Sequence, residues 1–189
     1  MRHNPARRAA LLDGAIEVLA HEGSRGLTLR AVDARAGVPN GTTTNYFANR
    51  AELLAQVMTR IQERLTPEET QLADTMREKP STELVATLLK QLLGRMRADR
   101  SSWLALMELR LEATRRPELH AELTRFFTAQ LEANISFHLD GGLPGDRTSV
   151  ILMYLAMVGL IVDDLTVPDL LAPHSADQLI DELARRLTG

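Results

Sequence analysis

The chain has 189 residues, 44% hydrophobic and 25% charged, with a net charge of −3 and no cysteine. That length suits one large domain or a small head on a larger body, and the lack of cysteine removes disulfides, thiolate metal sites and cysteine nucleophiles. The histidines (His3, His21, His120, His138 and His174) fall in no HExxH or other close ligand spacing, so no metal, cofactor or catalytic residue is expected. The basic N-terminus lacks a long apolar core and a cleavage site, so it reads as no signal peptide, and a cytoplasmic location follows. Charge is unevenly spread: residues 1–64 carry +3 and the remainder −6. A basic head on an acidic body suits binding of a polyanion at one end.

Every element in chain order reads as a helix. The first spans about Pro5 to His21, with Pro5 at its start and Ala9, Leu12, Ile16 and Leu19 on one stripe. Gly23 stops it. Thr28 caps a short second helix, LRAVDARA, which ends at Gly37. A third short segment, PNGTTTNYF, starts at Pro39, and a fourth helix runs from about Arg50 to Leu65. A polar helix follows from Pro67 to about Glu78. The next starts at Ser81 or Thr82 and carries Leu84, Leu88, Leu92 and Met96 at i+4 spacing. Further helices are expected at about 102–114, 117–139, 146–165 and from Ser175 or Asp177 onward, with Gly141–Gly145 as the clearest loop. No strand-like alternation, internal repeat or low-complexity tract is present. The run Val150–Val162 is almost wholly apolar, yet shorter than the ~20 residues of a membrane span. Such a helix must be covered on all sides, either within its own body or by a partner subunit.

Residues 28–54, TLRAVDARAGVPNGTTTNYFANRAELL, place two short helices around a tight turn at Gly37-Val38, the arrangement of a helix-turn-helix. Val32, Ala36 and Val38 are small or branched enough for two helices to cross closely. The second of the pair is nearly all short polar side chains: Asn40, Thr42, Thr43, Thr44 and Asn45. Such a segment forms helix poorly and buries little, which suits a helix whose face enters a DNA groove. There Asn pairs with adenine, Thr methyls meet thymine methyls and hydroxyls reach phosphate. Gly41 permits close backbone approach.

The wider pattern resembles the TetR family of transcriptional regulators. It comprises, in order, Gly23, Thr28, Ala36-Gly37-Val38, Gly41-Thr42, Tyr46-Phe47, Arg50 and Leu53-Leu54. The resemblance covers about residues 5–60. It implies an all-α fold: a three-helix head over residues 1–50 that binds DNA, then a bundle of about six helices over residues 51–189 for ligand binding and dimerisation. It also implies DNA contacts from Thr28, Arg30, Pro39, Asn40, Thr42, Thr43, Thr44, Asn45, Tyr46 and Arg50. Four positions depart from the family pattern. Thr44 stands where Tyr is usual, so its hydroxyl or Tyr46 would have to supply that phosphate contact. Tyr46 stands where His is common. Arg50 replaces Lys and would keep a phosphate contact at the start of the fourth helix. Asp33 replaces a small residue and is either exposed or paired with Arg30 or Arg35.

Members of that family are homodimers, each placing one recognition helix in the major groove of a palindromic operator. Two C-terminal helices per subunit form the interface. Here these are about 117–139 and 146–165, with Leu131, Ile135, Met153, Met157 and Leu160 in or near it, and Gly159 would let helices approach closely. The family also implies an effector pocket, for which the candidates are Met96, Trp103, Met107, Phe126, Phe127 and Tyr154. Their apolar character suggests a hydrophobic or amphipathic small molecule whose binding releases DNA. Two other readings stand beside this one. One is a helix-turn-helix protein that acts through a protein partner without ligand response. The other is a helical-bundle enzyme; its carboxylates would include Glu108 and Glu112, but no ExxH motif accompanies them, and a solvated Glu–Arg face at i+3 or i+4 explains the pair.

Overall fold

In a computed structural model the structure describes residues 4–189, so Arg2 and His3 of the basic N-terminus lie outside it. Ten α-helices and one 3₁₀ turn make up the described fold, with no strand among the described residues. They are α1 (Pro5–Gly26), α2 (Leu29–Arg35), α3 (Thr42–Tyr46), α4 (Arg50–Leu65), α5 (Glu69–Thr75), α6 (Thr82–Ala98), α7 (Arg100–Ala113), α8 (Pro117–Asp140), α9 (Arg147–Thr166) and α10 (Ala176–Thr188). The predicted order is met throughout, and α4 has the predicted ends. The largest differences are at α5, which is shorter than expected, and at α1, whose path continues to Gly26. Gly23, at φ 70° and ψ −179°, breaks that path where the sequence placed the stop.

Two compact units emerge, one of residues 1–66 with 99–125 and the other of residues 67–98 with 126–189. In the first, α1 packs against α2, α4 and α7. Leu11, Ala15, Ile16 and Leu19 of α1, Leu53, Val57 and Ile61 of α4, and Ala105 and Leu109 of α7 form its core with Val32 and Phe47. Burying one such aliphatic side chain fully stabilises the fold by about 1.5–3 kcal/mol, which is how a five-residue helix such as α3 persists beside them. Gly14 allows α1 and α2 their close crossing, since a Cβ there would lie 3.2 Å from the Ala36 nitrogen and 3.3 Å from the Val32 oxygen. Polar ties reinforce the unit. Arg60 and Arg64 both reach Asp13, at 2.9 and 3.2 Å, and Arg64 also pairs with Asp99 at 2.7 Å. Burial raises the pKa of Asp13 and Asp99, but the arginines, together with Ser102 at Asp99, outweigh it and hold both carboxyls below their ordinary range.

The second unit is built on α6, α9 and α10. Leu93, Met153, Met157, Ile161, Ile180 and Ala184 are buried in it. Lys90 of α6 pairs with Asp181 of α10 at 2.6 Å, and Arg97 of α6 donates to Asp164 of α9 at 2.8 Å. The Gly141–Gly145 loop turns through positive φ at Gly142 and Gly145, and His138 Nε2 lies 2.9 Å from the Pro144 carbonyl. Helix α9 runs for 20 residues. That corrects the expectation of a stretch too short for a membrane: by length and composition alone, α9 could cross one.

Candidate nucleic-acid interface

The turn between α2 and α3 carries Gly37 at φ 64° and Gly41 at φ 88°, the latter capping α3. Both occupy the left-handed region that costs a side-chain-bearing residue energy and glycine almost none. Because α3 is so short, nearly all of its backbone N–H groups need partners from outside the helix. Asp33 provides them. Its side chain is buried, and its carboxylate accepts from Gly41 N at 2.6 Å, Thr43 N at 2.7 Å and Thr43 Oγ1 at 2.5 Å. Asp33 is thus neither exposed nor paired with Arg30 or Arg35. It is a negative charge at the N-terminus of α3, where the helix dipole and the orphan N–H groups favour an anion. Arg35 pairs instead with Glu17 at 3.2 Å.

The other end of α3 is held by Arg8 of α1. Its Nη1 donates to the Tyr46 carbonyl at 3.3 Å, its Nε donates to Gln56 at 2.8 Å, and the guanidinium lies 4.9 Å above the Phe47 ring. So α3 is fixed at both ends by charges on other helices. Its own sequence contributes little to its stability.

The placement of the predicted DNA-contacting residues separates into two groups. Pro39, Asn40, Thr44 and Asn45 are exposed, with Thr42 and Tyr46 half-buried. Thr42 and Thr44 donate their hydroxyl hydrogens to Pro39 O and Gly41 O, both at 2.6 Å, and keep lone pairs outward. Arg30 is exposed on α2 and forms no hydrogen bond or ion pair among the described residues. Thr28 is exposed and caps α2 by accepting from Ala31 N at 3.1 Å. Leu29, Arg30, Asp33, Asn40, Gly41 and Thr44 line an open cleft of about 380 Å³. Of the predicted contacts, Arg30, Asn40 and Thr44 thus open onto one cleft.

Thr43 and Arg50 belong to the second group, and both correct the sequence expectation. Thr43 is fully buried, its hydroxyl spent on Asp33, so it faces the core rather than a base. The Arg50 guanidinium turns inward. It donates to the Ser24 carbonyl at 2.6 Å, to Ser24 Oγ at 3.0 Å and to the Leu27 carbonyl. Both carbonyls lie at the C-terminal end of the α1 path, where a helix leaves acceptors without internal donors. Burial and the nearby Arg116 lower its pKa from the usual arginine value, against a counter-effect of Glu112. Glu108 of α7 completes this clasp by accepting from Ser24 N at 2.8 Å. Glu112 is buried and pairs with Arg115 at 3.0 Å and with Arg116. Burial raises its pKa, yet the two arginines hold it below the usual range. The expected arginine partners at i+3 and i+4 are thus present at Glu112, while the carboxylates themselves are withdrawn from solvent and tie the first unit together.

The candidate interface and pocket residues are also distributed. Ile135, Met153 and Met157 are buried within the single chain, so their side chains belong to its core; Leu131 and Leu160 are half-exposed. Alternate positions of the same helices carry the uncovered apolar surface: Phe137 and Leu139 on α8, Leu152 and Leu155 on α9. Trp103 is buried and Met107 half-buried in the first unit; Met96 is buried in the second, where Phe126, Phe127 and Tyr154 are half-buried. The Phe126 and Phe127 rings meet edge to face at 5.3 Å.

A three-helix head that presents a capped polar helix, followed by helices with an uncovered apolar face, defines a DNA-binding regulator with a separate helical body. Residues 11–57 match the model described as bacterial regulatory proteins, tetR family. Residues 80–189 match the tetracyclin repressor-like C-terminal domain. The chain belongs to the TetR family of transcriptional regulators. Solved structures similar to it include a TetR-family member from Streptomyces coelicolor A3, 25% identical, covering 98% of this chain and 99% of that one at a TM-score of 0.73. The multidrug binding protein EbrR complexed with ethidium is 25% identical, covering 97% and 99% at 0.65. The regulator FadR from Bacillus subtilis in complex with stearoyl-CoA is 16% identical, covering 96% and 98% at 0.72, and shares the fold. No curated protein matches the chain in sequence.

Proposed function

We propose that this chain is a repressor that binds a palindromic operator as a homodimer and leaves it when a small molecule binds the body. The observation that carries the reading is the outward face of α3. Asn40, Thr44 and Asn45 stand exposed while Asp33 and Arg8 anchor the helix behind them. Asn45 and Asn40 suit base-edge hydrogen bonds, Thr44 the thymine methyl, and Thr28, Arg30, Pro39, Thr42 and Tyr46 the flanking backbone. Thr43 and Arg50 support that face from within. Function divides near residue 50, with DNA binding in residues 1–50 and effector binding and dimerisation in residues 51–189. DNA binding places the protein in the cytoplasm of a bacterial cell.

Dimerisation is supported by α9. Apolar over most of its length, it buries the face of Val150, Met153, Met157, Ile161 and Leu165 and leaves Leu152, Leu155, Ala156 and Gly159 exposed. No atom lies within 4 Å of a Cβ built on Gly159, which leaves room for a second helix. An exposed apolar row of this kind marks a protein interface. Ligand release is supported by relatives whose structures hold ethidium or stearoyl-CoA, both of them amphipathic or hydrophobic compounds. Met96, Phe126, Phe127 and Tyr154 remain candidate effector contacts in the second unit, and Trp103 and Met107 are candidates in the first.

The test is fluorescence anisotropy on DNA from upstream of the protein's own gene, against scrambled DNA, over a salt series. A preference of about 10³ or more with two chains per site is expected. Equal affinity for both, repeated with sites selected from random DNA, would overturn the reading and leave a protein partner as the target of the head.

A further inference from the structure

We infer that Arg95 is the anion-recognition group of the effector site in the second unit, so that the effector is an amphiphile with a carboxylate or phosphate head. The inference rests on the ligand-released reading above.

Helix α6 has two faces. Thr82, Lys90 and Arg97 join α6 to α9 and α10, through Thr188 at 2.9 Å, Asp181 at 2.6 Å and Asp164 at 2.8 Å. At the 3.6-residue period, Leu84, Leu88, Gln91 and Arg95 form a stripe on the opposite side. That stripe does not face open water. Leu84 is fully buried, Leu88, Gln91 and Arg95 are half-buried, and Gln91 donates to Thr75 Oγ1 of α5 at 2.9 Å. It starts apolar and ends in a guanidinium.

Arg95 is anomalous in its company. Its Nε is sealed from solvent without an acceptor, and among the described residues its side chain forms no hydrogen bond or ion pair. The other cations of α6, Lys90 and Arg97, each hold a carboxylate. Burial alone pulls the pKa of Arg95 below the usual arginine value, with no neighbouring acid to restore it. Withdrawing a cation from water without a partner is unfavourable. A guanidinium is a rigid fork of donors matched to two oxygens of a carboxylate or phosphate. An acidic head on Arg95 with an apolar tail along the half-buried Leu88 satisfies both the charge and the apolar part of the stripe. A cationic amphiphile would meet like charge there.

The experiment is isothermal titration of the full-length protein with four probes that share one chain length: dodecanoate, dodecyl phosphate, dodecanol and dodecyltrimethylammonium, each below its micelle concentration. Wild type, Arg95→Lys and Arg95→Met are compared, with anisotropy reporting release of bound DNA. One or both anions should bind at least about tenfold tighter than dodecanol and release DNA, and which anion wins names the head group. Arg95→Met should erase that margin while leaving dodecanol binding unchanged, and Arg95→Lys should keep part of it. Arg95→Met should also melt at or above the wild-type temperature, since it removes an unpaired charge; a large drop would mean that Arg95 serves the fold and would overturn the inference. Dodecanol or the ammonium binding as tightly as the anions and releasing DNA would also overturn the role of Arg95, with the ligand-released reading intact. If no probe binds, both fail.

Discussion

The surroundings of α3 and the Leu84–Arg95 stripe of α6 treat their charged side chains in opposite ways. Around α3 and the end of α1 the charged side chains find partners within the chain: Asp33 on α3, Arg8 on Tyr46, and Arg50 and Glu108 on Ser24. In the second unit Arg95 is half-buried with no partner, and α9 leaves Leu152 and Leu155 uncovered. The difference teaches where each region gets its completeness. The head, with Glu108 of α7 behind it, is held in place by the chain's own contacts and meets DNA as a preformed surface. The second unit leaves groups that a second subunit and a ligand would satisfy.

The largest expected effect comes from breaking the head's internal capping. Asp33→Ala would strand two backbone N–H groups of α3 and the Thr43 hydroxyl, at about 3–5 kcal/mol. Thermal melting should fall by roughly 10 °C, with operator binding lost. Arg50→Ala removes bonds to the Ser24 and Leu27 carbonyls and should destabilise by about 2–3 kcal/mol. Its signature sharpens the comparison: the slope of log affinity against log salt should stay as in wild type, since the guanidinium points inward. A phosphate-contacting arginine would lower that slope by about one.

The second unit should respond the other way. Leu155, 59% exposed in the single chain, should tolerate Glu in the fold yet shift the sedimentation profile from dimer to monomer. Met157→Glu, by contrast, should unfold the unit. A monomeric Leu155→Glu with unchanged melting separates interface from core, and a wild-type profile would move the interface elsewhere. Asn45→Ala should spare stability and relax base preference, at about 1–3 kcal/mol on the preferred site, read by competition between matched and mismatched DNA. Smallest is the acid limb. The pKa values of Asp13, Asp99 and Glu112 are depressed in the fold. They contribute stability above the unfolded carboxylate range of about 4, and that contribution is lost as pH falls through their lower folded values. Arg64→Met should flatten this acid limb of the melting curve between about pH 5 and 3; an unaltered limb would assign it to other carboxylates.

Much of the fold was legible because helical period, Pro5 at a helix start, Gly23 at a stop and the Gly141–Gly145 break are local signals. The turn glycines and the polar stretch at 40–45 were legible for the same reason. What escaped was long-range pairing. Asp33 lies on the same face of α2 as Leu29, Val32 and Ala36, and that stripe is the one clue that it points inward. Arg50 at the start of α4 looked like a free cation because Ser24 and Leu27, its acceptors, lie far away in sequence. Ile135, Met153 and Met157 show another limit: in α8 and α9 the apolar residues run all round, so composition cannot say which face the chain covers itself. Unpaired Arg95 left no trace in sequence, because the absence of a partner is a property of space.

The anchoring of α3 has an evolutionary consequence. Its attachments run through Asp33, Thr43 and the Tyr46 carbonyl, and none uses the side chains of Asn40 or Asn45. Those letters can be rewritten without loosening the page. Operator preference in this protein can therefore drift, or be redesigned by exchanging a few outward residues, while the mutational load on folding stays low.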